Sequence, residues 1–231
     1  MDQSNPMNRL GVIFDMDGVL VNSYQAHLQS WQRMATLHGL SMSREEFDAC
    51  FGRTTREIIV HYWGKQVDAA SVAALDREKE AIYREILQTA FPEMDGAGDL
   101  LAALHRAGFK LAIGSSGPPE NVALVRSIIP HGNVFDAAVD AMDVKKGKPD
   151  PEVFLKAAGK LGLEPACCAV VEDAVHGLEA AHRAGMAAIG LTGTAPRDAL
   201  QAKADVVVES LRKLSPEGIA QLIQRRRFDH D

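Results

Sequence analysis

The chain has 231 residues, with 25 Lys and Arg against 31 Asp and Glu and a net charge of −6, a length sufficient for one large domain or for a domain carrying a smaller inserted one. The acidic balance argues against a sequence-independent nucleic-acid binder, which needs a surplus of Lys and Arg on one face; a small anionic substrate needs only a local basic pocket. Cys50, Cys167 and Cys168 have neither the even number nor the density of a disulfide scaffold, which fits a reducing compartment. The N-terminal stretch MDQSNPMNRL has an acid at position 2 and no apolar segment, and no later run approaches the roughly 18 apolar residues of a membrane span. The expectation is a cytoplasmic protein that binds neither nucleic acid nor membrane.

In chain order, the first predicted strand is LGVIF at 10–14. Residues 23 to about 90 then run through SYQAHLQSWQRMATLHG, SREEFDACFG, TTREIIVHYWG and AASVAALDREKEAIYREILQ, all of helical period and none strand-like. Beyond them the rhythm becomes helix, strand, helix: GDLLAALHRAG, then the strand FKLAI at 109–113, then NVALVRSII, a weaker strand AAVD at 137–140, and PEVFLKAAGKLG. Strand CAVV at 168–171, helix HGLEAAHRAG, and strands AAIGL at 187–191 and DVVV at 205–208 complete the series. Apolar runs this short are strands, and apolar residues at i, i+3 and i+4 ending in Gly are helices. Strand alternating with helix implies an α/β, doubly wound parallel sheet. The predicted organisation is a core of 1–21 and 92–231 interrupted by an all-α cap over 22–91. The charged tail RRRFDH is read as a frayed terminus.

Loops leaving the carboxyl ends of parallel strands form the ligand crevice of such a sheet, and the polar residues gather there. Strand 10–14 leads into Asp15 and Asp17, strand 109–113 into Ser115 and Ser116, and strand 168–171 into Glu172 and Asp173, while DVKKGKPDPEVF places Lys145, Lys146 and Lys148 in a loop ahead of a helix. Each fragment alone has a plainer reading. The D-x-D-G sequence is a turn, GSSGPP and Glu172-Asp173 are helix caps, and KKGKP is a solvated basic loop. Four loops mimicking one site in chain order is a poorer account than one site.

The stretches DMDGVLVNS, IGSSG, GKPDPEVF and VVEDAVHGLEAAHRAGM resemble the four motifs of the haloacid dehalogenase-like superfamily, in its branch of helical-capped phosphatases and beta-phosphoglucomutases. The likeness spans roughly residues 9 to 215. It implies phosphoryl transfer on an aspartate with Mg²⁺ as cofactor. Such a reaction brings anions together and needs positive charge where the transferring oxygens gather, and Mg²⁺ prefers hard oxygen ligands. By this resemblance Asp15 is nucleophile and metal ligand. Asp17 gives its main-chain carbonyl to the metal and its side chain as general acid and base. Asp173 is the third direct metal ligand, Glu172 acts through metal-bound water, Ser115 and Ser116 hold phosphate oxygens, and Lys148 is the fixed cation. Lys145 and Lys146 carry no assignment.

In the cap, His27 resembles the hinge histidine of beta-phosphoglucomutases and is equally a half-buried helix histidine. Arg53 and Arg56 in GRTTRE are candidates to grip a distal phosphate. Lys79 resembles a cap lysine of that branch and is equally part of a solvated charge run. Asn22 stands where the family more often has Asp. The expected function is a Mg²⁺-dependent phosphatase of a small phosphorylated metabolite, a sugar phosphate foremost, working as a monomer or weak dimer. The rival is a beta-phosphoglucomutase using the same aspartyl-phosphate. Further alternatives are a phosphonate hydrolase with a Schiff-base lysine and a non-enzymatic module signalling through phosphorylated Asp15. Haloacid dehalogenation is disfavoured because it has no use for Asp17 as a metal-binding carboxylate.

Overall fold

A computed structural model describes residues 6–50, 55–64 and 67–228. It divides into two compact units, Met1–Asn22 with Glu93–Asp231, and Ser23–Pro92.

Among the described residues the larger unit holds a six-stranded parallel sheet: β1 (Gly11–Phe14), β2 (Lys110–Gly114), β3 (Ala137–Val139), β4 (Cys168–Glu172), β5 (Ala187–Leu191) and β6 (Val206–Val208), in the order β3-β2-β1-β4-β5-β6. All of the predicted strands are present, the weak one at 137 included. They lack polar alternation because helices cover them. Every residue of β1, β4 and β5 is buried, as expected for interior parallel strands.

The α/β class expected from the sequence is therefore correct. On one side, Ile13, Ala112, Val170 and Ala188 form a single core with Val153, Phe154 and Leu161 of α7 (Glu152–Leu161), Leu178 of α8 (Val175–Arg183) and Leu200 of α9 (Arg197–Gln201). Helices α5 (Ala97–Ala107) and α10 (Pro216–Phe228) pack on other strand positions and on each other, and α6 (Pro119–Ile128) follows β2.

The register positions the site. Phe14 pairs with Ile113 on one side and Val171 on the other, so β1, β2 and β4 end level, and Asp15, Ser115 and Glu172 emerge at one edge. The chain winds outward in both directions from β1, which makes the gap between β1 and β4 the switch point where ligands bind in such sheets.

One expectation is corrected. Residues 225–228 are not frayed: they form the last turn of α10, which buries Ile219, Ala220 and Ile223, and Arg226 donates to Asp205 Oδ1 at 2.7 Å. Asp205 Oδ2 also accepts the Ala188 N–H at 2.7 Å and lies 3.4 Å from His182 Nε2. Burial alone would raise the Asp205 carboxyl, yet His182, the Ala188 N–H and Arg226 together hold it below its ordinary value. Stability from this group is thus present above its unfolded value of about 3.9 and is lost as pH falls through the lower folded value. Asp205→Asn is expected to cost about 1 kcal/mol at pH 7, after allowance for solvent screening, and close to nothing in strong acid. Urea unfolding at pH 7 and pH 3 checks this, and an equal cost at both would contradict it.

Among the described residues the smaller unit is all-α: α1 (Tyr24–Leu37), α2 (Arg44–Cys50), α3 (Thr55–Trp63) and α4 (Ala69–Thr89). Leu28, Trp31, Met34, Phe47, Ile59, Leu75 and Ile82 are the centre of its core. Asp68 caps α4 by accepting the Ser71 N–H at 2.7 Å.

Candidate active site

Asp15 stands one residue beyond β1 and donates its main-chain N–H to Val171 O at 3.0 Å, which extends the β1–β4 ladder by one rung and points its side chain off the sheet edge. Gly18 turns the chain back at φ +78°, a conformation glycine adopts without penalty. A Cβ there would fall 1.8 Å from Asp173 Oδ2, so the missing side chain also makes room for the second acid. The D-x-D-G sequence is both the turn and part of the site.

Lys148 joins the two strand tips. Its ammonium lies 2.5 Å from Asp15 Oδ1 and 2.7 Å from Glu172 Oε1, and also sits 5.0 Å from the centre of the Phe154 ring. Glu172 Oε2 accepts the Ala174 N–H at 2.7 Å, a local turn bond; no side chain caps α8, so capping does not account for the Glu172-Asp173 pair. Gly177 lies against this carboxylate, since a Cβ would stand 1.8 Å from Glu172 Oε1. Asp15, Glu172, Asp173 and Ser115 are all buried.

Burial pushes the Asp15 carboxyl up to about 7; Lys148 opposes the shift while Glu172 and Asp17 add to it. Burial likewise drives Asp173 well above the usual carboxylate range, helped by Glu172 and Asp15 and opposed by a hydrogen bond from Thr194. For Lys148 burial works against the charged form, but Asp15 and Glu172 outweigh it and hold the amine protonated.

One ammonium cannot balance three buried carboxylates. Asp15, Glu172 and Asp173 each offer an oxygen, and these oxygens lie within 4.8 Å of one another. A cluster of hard oxygen donors with surplus negative charge fits a divalent cation. Asp17 is half-buried and close enough for its charge to act on Asp15.

On the neighbouring tip, Ser115 Oγ accepts the Gly117 N–H at 2.9 Å and Ser116 is exposed. No side chain caps α6, so capping does not account for the serines. In KKGKP the solvated reading holds for Lys145 and Lys146, which are exposed, and fails for Lys148.

The smaller unit gathers two of the remaining candidates. The Lys79 ammonium donates to His27 Nδ1 at 3.0 Å and to Glu80 Oε1 at 2.7 Å, and lies 5.7 Å from the Trp31 ring and 5.3 Å from the Tyr83 ring. His27 stacks on Tyr83 with centroids 4.3 Å apart. Lys79 is buried, so it is not part of a solvated face. Arg56 is exposed on the first turn of α3, and Arg53 lies outside the described residues.

Sequence reasoning missed Thr194 and Gly177. Thr194 follows β5 at the same sheet edge, so the rule that found the acids would have found it. Gly177 acts through a contact that spacing does not reveal.

Charged side chains at the carboxyl edge of a doubly wound sheet, with a lysine among acids that can take a metal, define an α/β enzyme that works on an anionic group. The chain belongs to the haloacid dehalogenase-like hydrolase family, whose model matches residues 12–191. It is 32% identical over 211 residues to validoxylamine A 7'-phosphate phosphatase of Streptomyces hygroscopicus subsp. limoneus, covering 87% of this chain and 94% of that protein. It is 32% identical over 213 residues to beta-phosphoglucomutase of Bacillus subtilis, covering 89% and 92%. Among solved structures, a family IA, variant 3 HAD hydrolase from Entamoeba histolytica superposes with a TM-score of 0.84 at 28% identity, covering 93% of this chain and 99% of that one.

Proposed function

We propose that the protein is a Mg²⁺-dependent phosphatase of a small phosphorylated metabolite, a sugar phosphate foremost, acting through an aspartyl-phosphate on Asp15. The observation that carries this reading is the Lys148 ammonium held between Asp15 and Glu172, with an Asp173 oxygen within 4.8 Å of theirs, a group of acids that suits a cation. A carboxylate can approach a phosphate only where positive charge offsets both anions.

In the first step an Asp15 oxygen bonds to phosphorus as the ester P–O bond breaks, and Asp17 gives the departing oxygen a proton. In the second, water attacks the phosphoryl group and loses a proton to Asp17. The bond to Asp15 breaks and inorganic phosphate leaves. Lys148 stays protonated throughout and faces the transferring oxygens. Ser115 and the main-chain N–H of Ser116 hold the phosphate. Asp15, Asp173 and the main-chain oxygen of Asp17 would hold Mg²⁺, with Glu172 beside them, and the ion would supply the remaining charge neutralisation. The all-α unit serves as the cap that selects the substrate.

A beta-phosphoglucomutase is the second reading, favoured by the relative of that activity. Because Glu80 already neutralises the buried Lys79, we infer that this lysine braces the cap from within, which leaves Arg53 and Arg56 as candidates for a distal phosphate. Incubation with beta-glucose 1-phosphate and a trace of the bisphosphate separates the two. Release of inorganic phosphate from a panel of sugar phosphates, dependent on Mg²⁺, is expected. Conversion to glucose 6-phosphate without phosphate release would reverse the order.

A further inference from the structure

Lys148 can bridge Asp15 and Glu172 only if its main chain is held still, yet residues 140–151 contain no helix or strand. On its N-terminal side the residues nearest Lys148 are gripped by a carboxylate. Glu152 Oε2, on the first turn of α7, accepts the main-chain N–H of Lys145 at 2.9 Å and of Lys146 at 3.0 Å. Its other oxygen, Oε1, is paired with Lys156 Nζ at 2.8 Å, one turn along the same helix. Another turn on, Lys160 donates to Asp143 Oδ2 at 2.9 Å and to Ala138 O at 2.8 Å. One face of α7 is thus fastened to the loop at successive turns. The Lys156 ammonium and the two N–H groups hold the Glu152 carboxyl at about 2, so the clasp is charged at any working pH. Two amides converging on one anionic oxygen is a charge-assisted arrangement that neutral hydrogen bonds do not equal.

We propose that Glu152 is a positioning residue for the reaction, its grip on the Lys145 and Lys146 amides fixing how far the Lys148 ammonium reaches between Asp15 and Glu172. The role assigned to Lys148 rests on the phosphoryl-transfer reading above; the clasp does not. An acid in the first turn of a helix also favours that helix by its charge alone, and this role would not involve Lys148. The two roles make different predictions.

Glu152→Ala is expected to lower kcat on p-nitrophenyl phosphate by about 10 to 100-fold, the scale of loss when a reacting group is misplaced by about 1 Å, with KM changed less than about 3-fold. Glu152→Gln keeps an acceptor for the two amides but loses the charge, and its rate is expected to fall between those of Glu152→Ala and the parent. Placed on Lys148→Met, the Glu152→Ala change should add less than about 2-fold, because the two act on one interaction. A readout without turnover is the ¹H–¹⁵N signal of the Lys148 ammonium, protected by its two carboxylates in the parent. It should vanish in Glu152→Ala and persist in Glu152→Gln. The same fold-loss in both Lys148 backgrounds, or a Lys148 signal that survives Glu152→Ala, would overturn the proposal. If the parent releases no phosphate from any ester, the phosphoryl-transfer reading fails, and the ammonium signal still decides the clasp.

Discussion

Asp15→Asn is expected to lower phosphate release by about 10⁴-fold or more, since an amide oxygen cannot replace a carboxylate nucleophile and the other site residues act through it. The fold should survive. Burial already opposes the Asp15 charge enough to push its carboxyl up to about 7, so a neutral amide of the same shape removes a costly charge while giving up one bond to Lys148. Lys148 retains Glu172 at 2.7 Å. In EDTA the melting temperature of the variant should therefore equal or exceed that of the parent, and the rise produced by Mg²⁺ should shrink, because stabilisation by a ligand follows its affinity for the folded state. Turnover within 10-fold of the parent would rule out a covalent role for this residue.

Lys148→Met is expected to act on stability and rate together. Removing one partner of a buried ion pair strands the other charge, at a cost of about 3 kcal/mol or more, and here two carboxylates lose the same counter-charge. Without the ammonium, Asp15 holds its proton to a higher pH than it does now. A carboxyl whose folded value lies above its unfolded one contributes stability at low pH and loses it as pH rises through the folded value. The deficit relative to the parent should therefore be large at pH 8 in EDTA, shrink toward pH 5, and shrink again when Mg²⁺ is added. Turnover should fall about 10²- to 10³-fold, the usual loss when one group stabilising the transition state is removed. Urea unfolding at both pH values, with EDTA and with Mg²⁺, tests this. Parent-like stability at pH 8 in EDTA would mean that the ion pair contributes nothing.

The strands were legible because interior parallel strands must be apolar along their whole length, as Gly11–Phe14 and Ala187–Leu191 are. Helix Arg197–Gln201 was not, having a single buried residue, Leu200. Helix Pro216–Phe228 was hidden because its few apolar positions are followed by three arginines, one of them anchored by Asp205. That anchor is tertiary and leaves no periodic trace. At the site, chain order pointed to Asp15, Glu172 and Asp173, since each follows a strand at the same edge, whereas Lys148 was picked from three loop lysines only by the resemblance of GKPDPEVF to a family motif. Spacing did not show that Glu172 would share Lys148 with Asp15, nor that Lys79 would be buried between aromatic rings. A charge run reads the same in sequence whether its lysine points outward or inward.

The two strands that carry the acids, Gly11–Phe14 and Cys168–Glu172, are interior to the sheet and hydrogen-bonded on both sides. Fraying begins at edges and termini, whereas central strands open only with the whole domain. Asp15 and Glu172 therefore stand at the ends of the last part of the molecule to let go. Heat inactivation and cooperative melting of the larger unit then become one event, and catalytic survival serves as a direct gauge of how much of that unit is still intact.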